Sequence, residues 1–286
     1  MSWWISTFLL PAVYFAMPLI VAALGELVAE RAGVVNIGIE GMMLAGALAA
    51  WAVDGWLGRG AALFAAVLAA WALVLPFALA VLCFNADQIV TATGVNLLAL
   101  GGTGMLYKIV PAAAADRVVG IDKRWLVVLT PVLAGAIWGF FRFTRAGLEL
   151  AAIGEAPRAA DTAGVPVGRR KLYAILFGAA CAGLAGAYLS IMYNRTFTQN
   201  MTDGIGFLAL AMVIFGRWHA GGVIAAGLFF GLVRAAADHL QTQSGYGPAT
   251  LQMFHMLPYV VSLLALAGVA GRSGAPGALG KAYVRE

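Results

Sequence analysis

The chain has 286 residues, of which 62% are hydrophobic and 11% are charged, and its mean hydropathy is +0.89. Soluble proteins carry roughly 25% charged residues, so this composition excludes an ordinary soluble enzyme and indicates an integral membrane protein. The net charge of +5 does not indicate nucleic-acid binding, because the basic residues cluster in loops beside apolar segments and the sequence shows no basic face with aromatic platforms.

Apolar segments of about 20 residues, the length that crosses a bilayer, occur along most of the chain. They lie near residues 4–24, 33–53, 61–83, 88–107, 125–141, 172–193, 204–217, 220–236 and 252–270. The seventh is short for a complete crossing. The sequence therefore predicts an all-α, polytopic transmembrane helical bundle with about eight to ten spans and at least one broken or short helix.

Polar residues in the second segment are candidates for a solute pathway. Asn36 and Glu40 are four residues apart, so on a helix they share one face, and Glu40 would lie about 10 Å from the segment start. A carboxylate at mid-span costs about 3 kcal/mol even on mild insertion scales, so it should face a cavity or a partner. The alternative is architectural: both side chains brace a helix break among the nearby glycines Gly33, Gly38 and Gly41.

The fourth segment adds a third pathway candidate, Asn96. Its neighbours Thr91 and Thr93 can return their hydroxyls to their own helix, whereas Asn96 either faces a pathway or bonds to another helix. Residues 203–207 open the seventh segment, where a helix amino terminus could offer free N–H groups to a ligand or face water. After it, the turn at 217–222 indicates either a tight hairpin or a helix break in the protein interior.

Small residues four apart occur in several segments, including Gly135 with Gly139 and Gly227 with Gly231. Such pairs are typical of helices that approach one another closely in lipid, and ordinary helix packing is the interpretation we adopt for both.

The residues predict no enzyme. The two cysteines lie inside apolar runs, and the three histidines are scattered without a second ligand at metal spacing. Near the end, Ala275 stands where a phosphate-binding loop needs its first glycine, and Ala282 where it needs Ser or Thr. We therefore expect no catalytic, cofactor or metal site, and no ATP hydrolysis by this chain alone.

The longest polar interruption of the chain runs from Arg142 to Lys171. Its charged residues are Arg142, Arg145, Glu149, Glu155, Arg158, Asp161, Arg169, Arg170 and Lys171. A segment this polar cannot lie in hydrocarbon, and its basic excess favours the cytoplasmic face. With the spans above, the amino terminus is then outside and the carboxyl terminus inside, although the basic stretch 108–124 falls on the outer side.

A short helix is predicted inside this loop. Pro157 suits a first helical position, and Arg158 and Asp161 fall at i and i+3. Gly164 stops the helix, and Gly154 permits a sharp entry. A short helix held between two spans is a surface that a protein outside the bilayer could grip to move them.

Three segments carry a family resemblance: ERAGVVNIGIEGMML at 30–44, DQIVTATGVNLLALG at 87–101 and AAIGEAPRAADTAGV at 151–165. They resemble permease subunits of bacterial ABC importers for nucleosides, ribose-type sugars and branched-chain amino acids, and they are most similar to the shorter permease of nucleoside importers. The resemblance covers roughly residues 25 to 270. Two departures are Ala156, where relatives commonly have Asn, and the polar stretch 91–94.

The resemblance implies a single transmembrane permease domain over 1–286, with 142–171 as a cytoplasmic coupling loop and 271–286 as a short cytoplasmic tail, in the bacterial inner membrane. Its coupling motif falls on Gly154, Glu155, Pro157, Arg158, Ala160 and Asp161. The implied partners are a cytoplasmic ABC ATPase that binds the ATP, a second permease in a heterodimer, an extracytoplasmic substrate-binding protein and membrane lipid. The alternatives are a sugar or amino-acid permease, and an ion-coupled transporter with Glu40 as its proton site.

Overall fold

The structure is a computed structural model that describes residues 8–110, 122, 124–242, 248–269 and 274–283. All regular structure in these residues is helical, which confirms the predicted all-α class. The helices are α1 (Leu10–Arg31), α2 (Ile39–Leu57), α3 (Arg59–Cys83), α4 (Gln88–Ile109), α5 (Arg124–Phe143), α6 (Arg145–Glu155), α7 (Pro157–Thr162), α8 (Val167–Ala187), α9 (Ile205–Phe215), α10 (Ala220–Thr242) and α11 (Pro248–Val269). A π-helical turn, Tyr188–Tyr193, extends α8.

Most of these helices are long enough to cross a membrane. Six are both long and apolar enough, namely α1, α3, α4, α5, α10 and α8 with its extension. With 19 and 22 residues, α2 and α11 also have sufficient length, whereas α9 has 11 and reaches about halfway. The described residues therefore form a polytopic bundle with a short helix, α9, among its apolar segments, as predicted.

The predicted boundaries are least accurate at the start of the chain. The first helix continues to Arg31 instead of ending near residue 24, because Glu26 and Glu30 are buried with hydrogen-bond partners and need no solvent. The second segment begins as an irregular stretch, 32–38, and becomes helical only at Ile39. The two helices are therefore separated by a break that lies within the protein.

The core of the bundle is built around α8, which packs on α1, α2 and α3. Glycines make these contacts close. A Cβ at Gly46 of α2 would lie 2.5 Å from the carbonyl oxygen of Gly183 in α8, and one at Gly183 would lie 2.6 Å from that of Ala66 in α3. Backbones this close exclude even a methyl group, so van der Waals contact between backbones holds the helices together.

A tight turn joins α9 to α10. Arg217 and Trp218 adopt positive φ values of 52° and 56°, and their N–H groups donate to the carbonyls of Ile214 and Val213 to close the end of α9. The sequence left open a tight hairpin or a helix break at residues 217–222, and the structure shows a tight hairpin between α9 and α10.

The two ends of the bundle differ in composition. At one end, the end of α1, the loop that carries α6 and α7, and the α9–α10 turn are joined by contacts that include the hydrogen bond from Arg31 Nε to the carbonyl of Trp218. At the other end, the rings of Trp51, Tyr107 and Phe197 stack with centroids 5.2 to 6.0 Å apart. Lys108 follows Tyr107 at this second end, and most of the basic stretch 108–124 lies outside the described residues.

Candidate functional site: the helix break and the coupling loop

The break between α1 and α2 begins with a glycine in the left-handed conformation. Gly33 has φ +81°, and its N–H donates to the carbonyl of Glu30 while that of Val34 donates to Ala29. These are the two hydrogen bonds of a Schellman helix end, which explains why α1 ends here. The residues that follow have no helical partners, so their buried polar backbone must find others.

Side chains from α1, from α4 and from the break itself supply those partners. The N–H of Val35 donates to Gln88 Oε1 at 2.8 Å, and the N–H of Asn36 donates to Glu26 Oε1 at 2.8 Å. The Asn36 side chain in turn accepts from the N–H of Gly38 at 3.1 Å. Glu26 and Gln88 were not among the predicted site residues; the signal for them is a polar side chain at the edge of an apolar run, opposite an irregular glycine-rich segment.

Asn96 joins α4 to the same break. Its Nδ2 donates to the carbonyl of Ile37 at 2.9 Å, and its Oδ1 accepts from the N–H of Gly41 at 2.8 Å. The neighbouring threonines, Thr91 and Thr93, bond to the carbonyls four residues earlier in their own helix, as predicted.

Glu40 lies at the start of α2 and binds the amino terminus of α9. Its Oε1 accepts from the N–H of Gly204 at 2.9 Å, and its Oε2 accepts from the N–H of Gly206 at 2.6 Å. The first N–H groups of a helix have no partners of their own and carry partial positive charge, so a carboxylate is the natural group to satisfy them. The amino terminus of α9 is therefore occupied by the protein itself rather than open to a ligand or to water.

The structure thus brings Asn36, Glu40 and Asn96 together around one break, where each satisfies backbone groups. This geometry is that of the architectural alternative. Their hydrogen-bonding groups are engaged within the protein.

After α5, the chain leaves the helical conformation at Thr144, and α6 follows directly. The Thr144 hydroxyl accepts from the N–H of Gly147 at 3.0 Å and so caps α6. At the other end of α6, a Cβ on Gly154 would overlap the carbonyl oxygen of Arg31, so the backbones of α6 and α1 are in direct contact there. Gly154 was predicted to permit a sharp turn; it is instead helical, and its role is this close approach.

The short helix α7 lies where the sequence predicts it. The turn into it falls at Ala156, with φ −147° and ψ 82°, and Pro157 takes the first position. After the helix, Gly164 has φ +85°. The N–H groups of Gly164 and Val165 donate to the backbone carbonyls of Asp161 and Ala160, respectively, in a second Schellman arrangement.

One side of α7 is held and the other is exposed. Ala160 is buried against Ile153 and Val167, whereas Arg158 is exposed. Asp161 Oδ2 accepts from the hydroxyl of Tyr283 at 2.8 Å, in the carboxyl-terminal segment. The loop therefore presents a small helix, fixed on its inner side, at one end of the bundle.

A polar cavity of about 190 Å³ lies at the amino-terminal end of α9. The sequence did not predict it. Its lining includes Asn194, Thr202, Asp203 and Arg234, with the rings of Phe15, Tyr193, Phe230 and Tyr259 beside them. No single sequence motif marks it, because its residues come from distant segments of the chain.

Interrupted helices, a half-length helix and a capped helix exposed between two spans define a membrane transport protein of the permease class. Residues 8–266 match the model of a family described as branched-chain amino acid transport system / permease component, and the chain belongs to this family.

Three relatives illustrate what the chain is similar to. The guanosine ABC transporter permease NupQ of Bacillus subtilis is 32% identical over 98% of each chain. The putative glucose ABC transporter permease TsgC13 of Haloferax volcanii is 34% identical over 81% of this chain and 76% of the relative. NupP, another guanosine ABC transporter permease of Bacillus subtilis, is 27% identical over 80% and 73%. No solved structure matches the chain.

These findings confirm the resemblance to nucleoside-type ABC permeases. The family is a transmembrane component and its members here are permeases rather than ATPases, so the chain is a multi-pass membrane subunit of an ABC transporter and not the ATP-hydrolysing enzyme.

Proposed function

We propose that this chain is a transmembrane subunit of an ATP-driven importer that takes up purine nucleosides or related small polar solutes by alternating access. The observation that carries the proposal is the match to a guanosine permease, NupQ, at 32% identity over 98% of both chains. The partners would be a cytoplasmic ABC ATPase, an extracytoplasmic substrate-binding protein and a second permease. Two different guanosine permeases of Bacillus subtilis, NupQ and NupP, both match the chain, which favours a heterodimer.

In this proposal the coupling loop faces the cytoplasm and α7 docks into the ATPase. The six residues assigned to coupling are Gly154, Glu155, Pro157, Arg158, Ala160 and Asp161. The structure supports distinct roles for them: Gly154 sets the contact with α1, Ala160 anchors α7, and Arg158 lies on the exposed side of α7. The ATPase must bind the inward-open and outward-open permease with different free energies, since otherwise its closure on ATP moves nothing.

The solute path would border the α1–α2 break. Irregular backbone at membrane depth is tolerated where it is buried in protein or lines a cavity, and in transporters such breaks adjoin the transported solute. Asn36, Glu40 and Asn96 would hold that wall in shape, with selectivity supplied mainly by the binding protein. A cycling proton on Glu40 fits poorly, because both of its oxygens already accept from backbone N–H groups.

The test is ATP-driven uptake by the assembled complex in proteoliposomes, with Arg158→Glu as the variant and Arg169→Glu as control. Arg169 is also exposed, but it lies in the first turn of α8 rather than in α7. Reversing a charge at a docking surface costs enough to expect about a tenfold or greater loss of guanosine uptake, with the control within about twofold. Uptake that Arg158→Glu leaves unchanged would contradict the coupling role. Full uptake by this chain alone, driven by an ion gradient, would contradict the whole proposal.

A sugar is the second candidate solute, because the putative glucose permease of Haloferax volcanii is 34% identical. Competition separates the two: excess unlabelled guanosine should abolish uptake of labelled guanosine, and glucose should leave it unchanged. Loss of uptake with glucose alone would reassign the solute and leave the coupling proposal intact.

A further inference from the structure

The carboxyl-terminal segment Gly274–Tyr283, called the tail below, returns to the coupling loop. The sequence predicts only a short cytoplasmic end here, yet the tail is folded against α6, α7 and the end of α1. We infer that the tail is a positioning element of the transport cycle, which fastens α7 to the α1–α2 break. This inference rests on the coupling role proposed above for α7.

The tail brackets α7 with two side-chain hydrogen bonds. Just before the helix, Glu155 Oε2 accepts from the N–H of Gly277 at 3.1 Å; in its last turn, Asp161 Oδ2 accepts from the hydroxyl of Tyr283 at 2.8 Å. A third bond joins the backbones, from the N–H of Ala278 to the carbonyl of Gly154 at 2.8 Å. The loop and the tail are therefore joined at three successive points.

The tail also reaches the break itself. The N–H of Gly280 donates to the carbonyl of Gly33 at 3.3 Å, and a Cβ on Gly33 would lie 3.3 Å from the carbonyl oxygen of Ala278 and 3.5 Å from the Cα of Gly154. The backbones of α1, α6 and the tail thus meet at one point. A displacement of the loop cannot leave this junction unchanged, and the junction directly precedes residues 34–38, which lead to Glu40 and α9.

The hydrogen bonds between the tail and the residues in and beside α7 matter because α7 is short. A helix of 6 residues is far below the length at which a helix is stable by itself, about 12 residues. If α7 unfolded when the ATPase moves, the movement of the ATPase would not be transmitted to the membrane spans. Hydrogen bonds at both of its ends, from a segment that is itself bonded to α1, would keep α7 a rigid unit tied to the bundle.

Tyr283→Phe tests this with the loss of one hydroxyl, and Tyr173→Phe is the control, since Tyr173 is an exposed tyrosine of α8. The assembled complex is measured for solute moved per ATP hydrolysed, and the permease for hydrogen exchange over 157–165. A hydrogen bond to a carboxylate is strong enough that we expect about a three- to tenfold fall in solute per ATP and a similar rise in exchange, with normal assembly and ATP hydrolysis. In the double variant with Asp161→Ala, the combined loss should be smaller than the sum of the two single losses, because the bond that joins the two side chains can be removed only once.

Three outcomes overturn the inference. Tyr283→Phe could match the control in both measurements, or it could lower assembly with the ATPase in proportion to uptake, which is a purely structural role. Its effect could also add fully to that of Asp161→Ala. The failure of the underlying proposal is distinguishable, because Arg158→Glu would then be neutral whatever Tyr283→Phe does. A loss of uptake with Arg158→Glu together with a neutral Tyr283→Phe would contradict only the inference about the tail and leave the coupling role of α7 intact.

Discussion

Two glycine pairs with the same four-residue spacing lie in opposite environments. Gly227 and Gly231 of α10 lie against α1, where a Cβ at Gly231 would lie 2.8 Å from that of Ala16 and would also overlap the carbonyl of Ala12. Gly135 and Gly139 of α5 face outward, and a Cβ at Gly135 would meet nothing within 4 Å. The spacing therefore shows that a helix can be approached closely, but not that another helix of the same chain does so.

The same contrast holds for whole helices. Of the 18 most apolar consecutive residues of α1, 89% are buried, whereas in the corresponding stretches of α4 and α5 the share is 22%. We distinguish a packed centre, formed by α1, α2 and α8, from an open flank formed by α4 and α5. The flank has the apolar exposure of a surface covered by lipid or by another subunit, as the proposed pairing with a second permease requires.

Gly231→Leu should have the largest effect, because it places a side chain where the backbone of α1 already lies. Overpacking costs about 1–3 kcal/mol where side chains can move aside, and here a backbone carbonyl must shift, so we expect about 3 kcal/mol or more. Thermal unfolding in detergent, followed by size-exclusion chromatography, measures it. A variant as stable as the parent would show that α10 does not pack on α1 as described.

Glu40→Ala should be intermediate. It leaves the N–H groups of Gly204 and Gly206 without their acceptor at the buried start of α9, and each such loss costs about 1 kcal/mol or somewhat more, for a total of about 2 kcal/mol. Hydrogen exchange at residues 204–208 should rise with it. Glu149→Ala is the matched control, since that carboxylate pairs with Arg170 at the partly exposed start of α8 and such pairs contribute about 0–1 kcal/mol. Equal losses in the two variants would contradict the special role of Glu40.

The sequence was sufficient for features whose signals are contiguous. The helical class, the range of spans and the position of α7 follow from apolar runs, a proline at a first position and a glycine at a helix end, all of which act within a few residues. Pro157 and Gly164 are confirmed in these roles. The turn that was assigned to Gly154 falls at Ala156, where Pro157 disfavours a helical conformation of the preceding residue.

Partners distant in the sequence could not be predicted. Glu40 binds backbone groups 164 and 166 residues away, and the tail binds Glu155 and Asp161 across 122 residues. A buried carboxylate signals only that it needs a partner, and both a solute path and a helix amino terminus can satisfy it. The geometry, not the residue type, distinguishes the two, which is why Asn36 and Asn96 also remained ambiguous between pathway and brace.

Gly135→Leu should have the smallest effect on the isolated chain, and it sharpens the contrast most. A Cβ there has no neighbour within 4 Å, so the change in stability should lie within about 0.5 kcal/mol, in spite of a spacing identical to that of Gly231. The same unfolding measurement applies, run in parallel with Gly231→Leu. A large loss in the isolated chain would mean that α5 is covered from within, and the distinction between centre and flank would fail. With the isolated chain unchanged, a loss confined to the assembled complex would instead place a second subunit against this pair, since only a close backbone neighbour excludes a leucine.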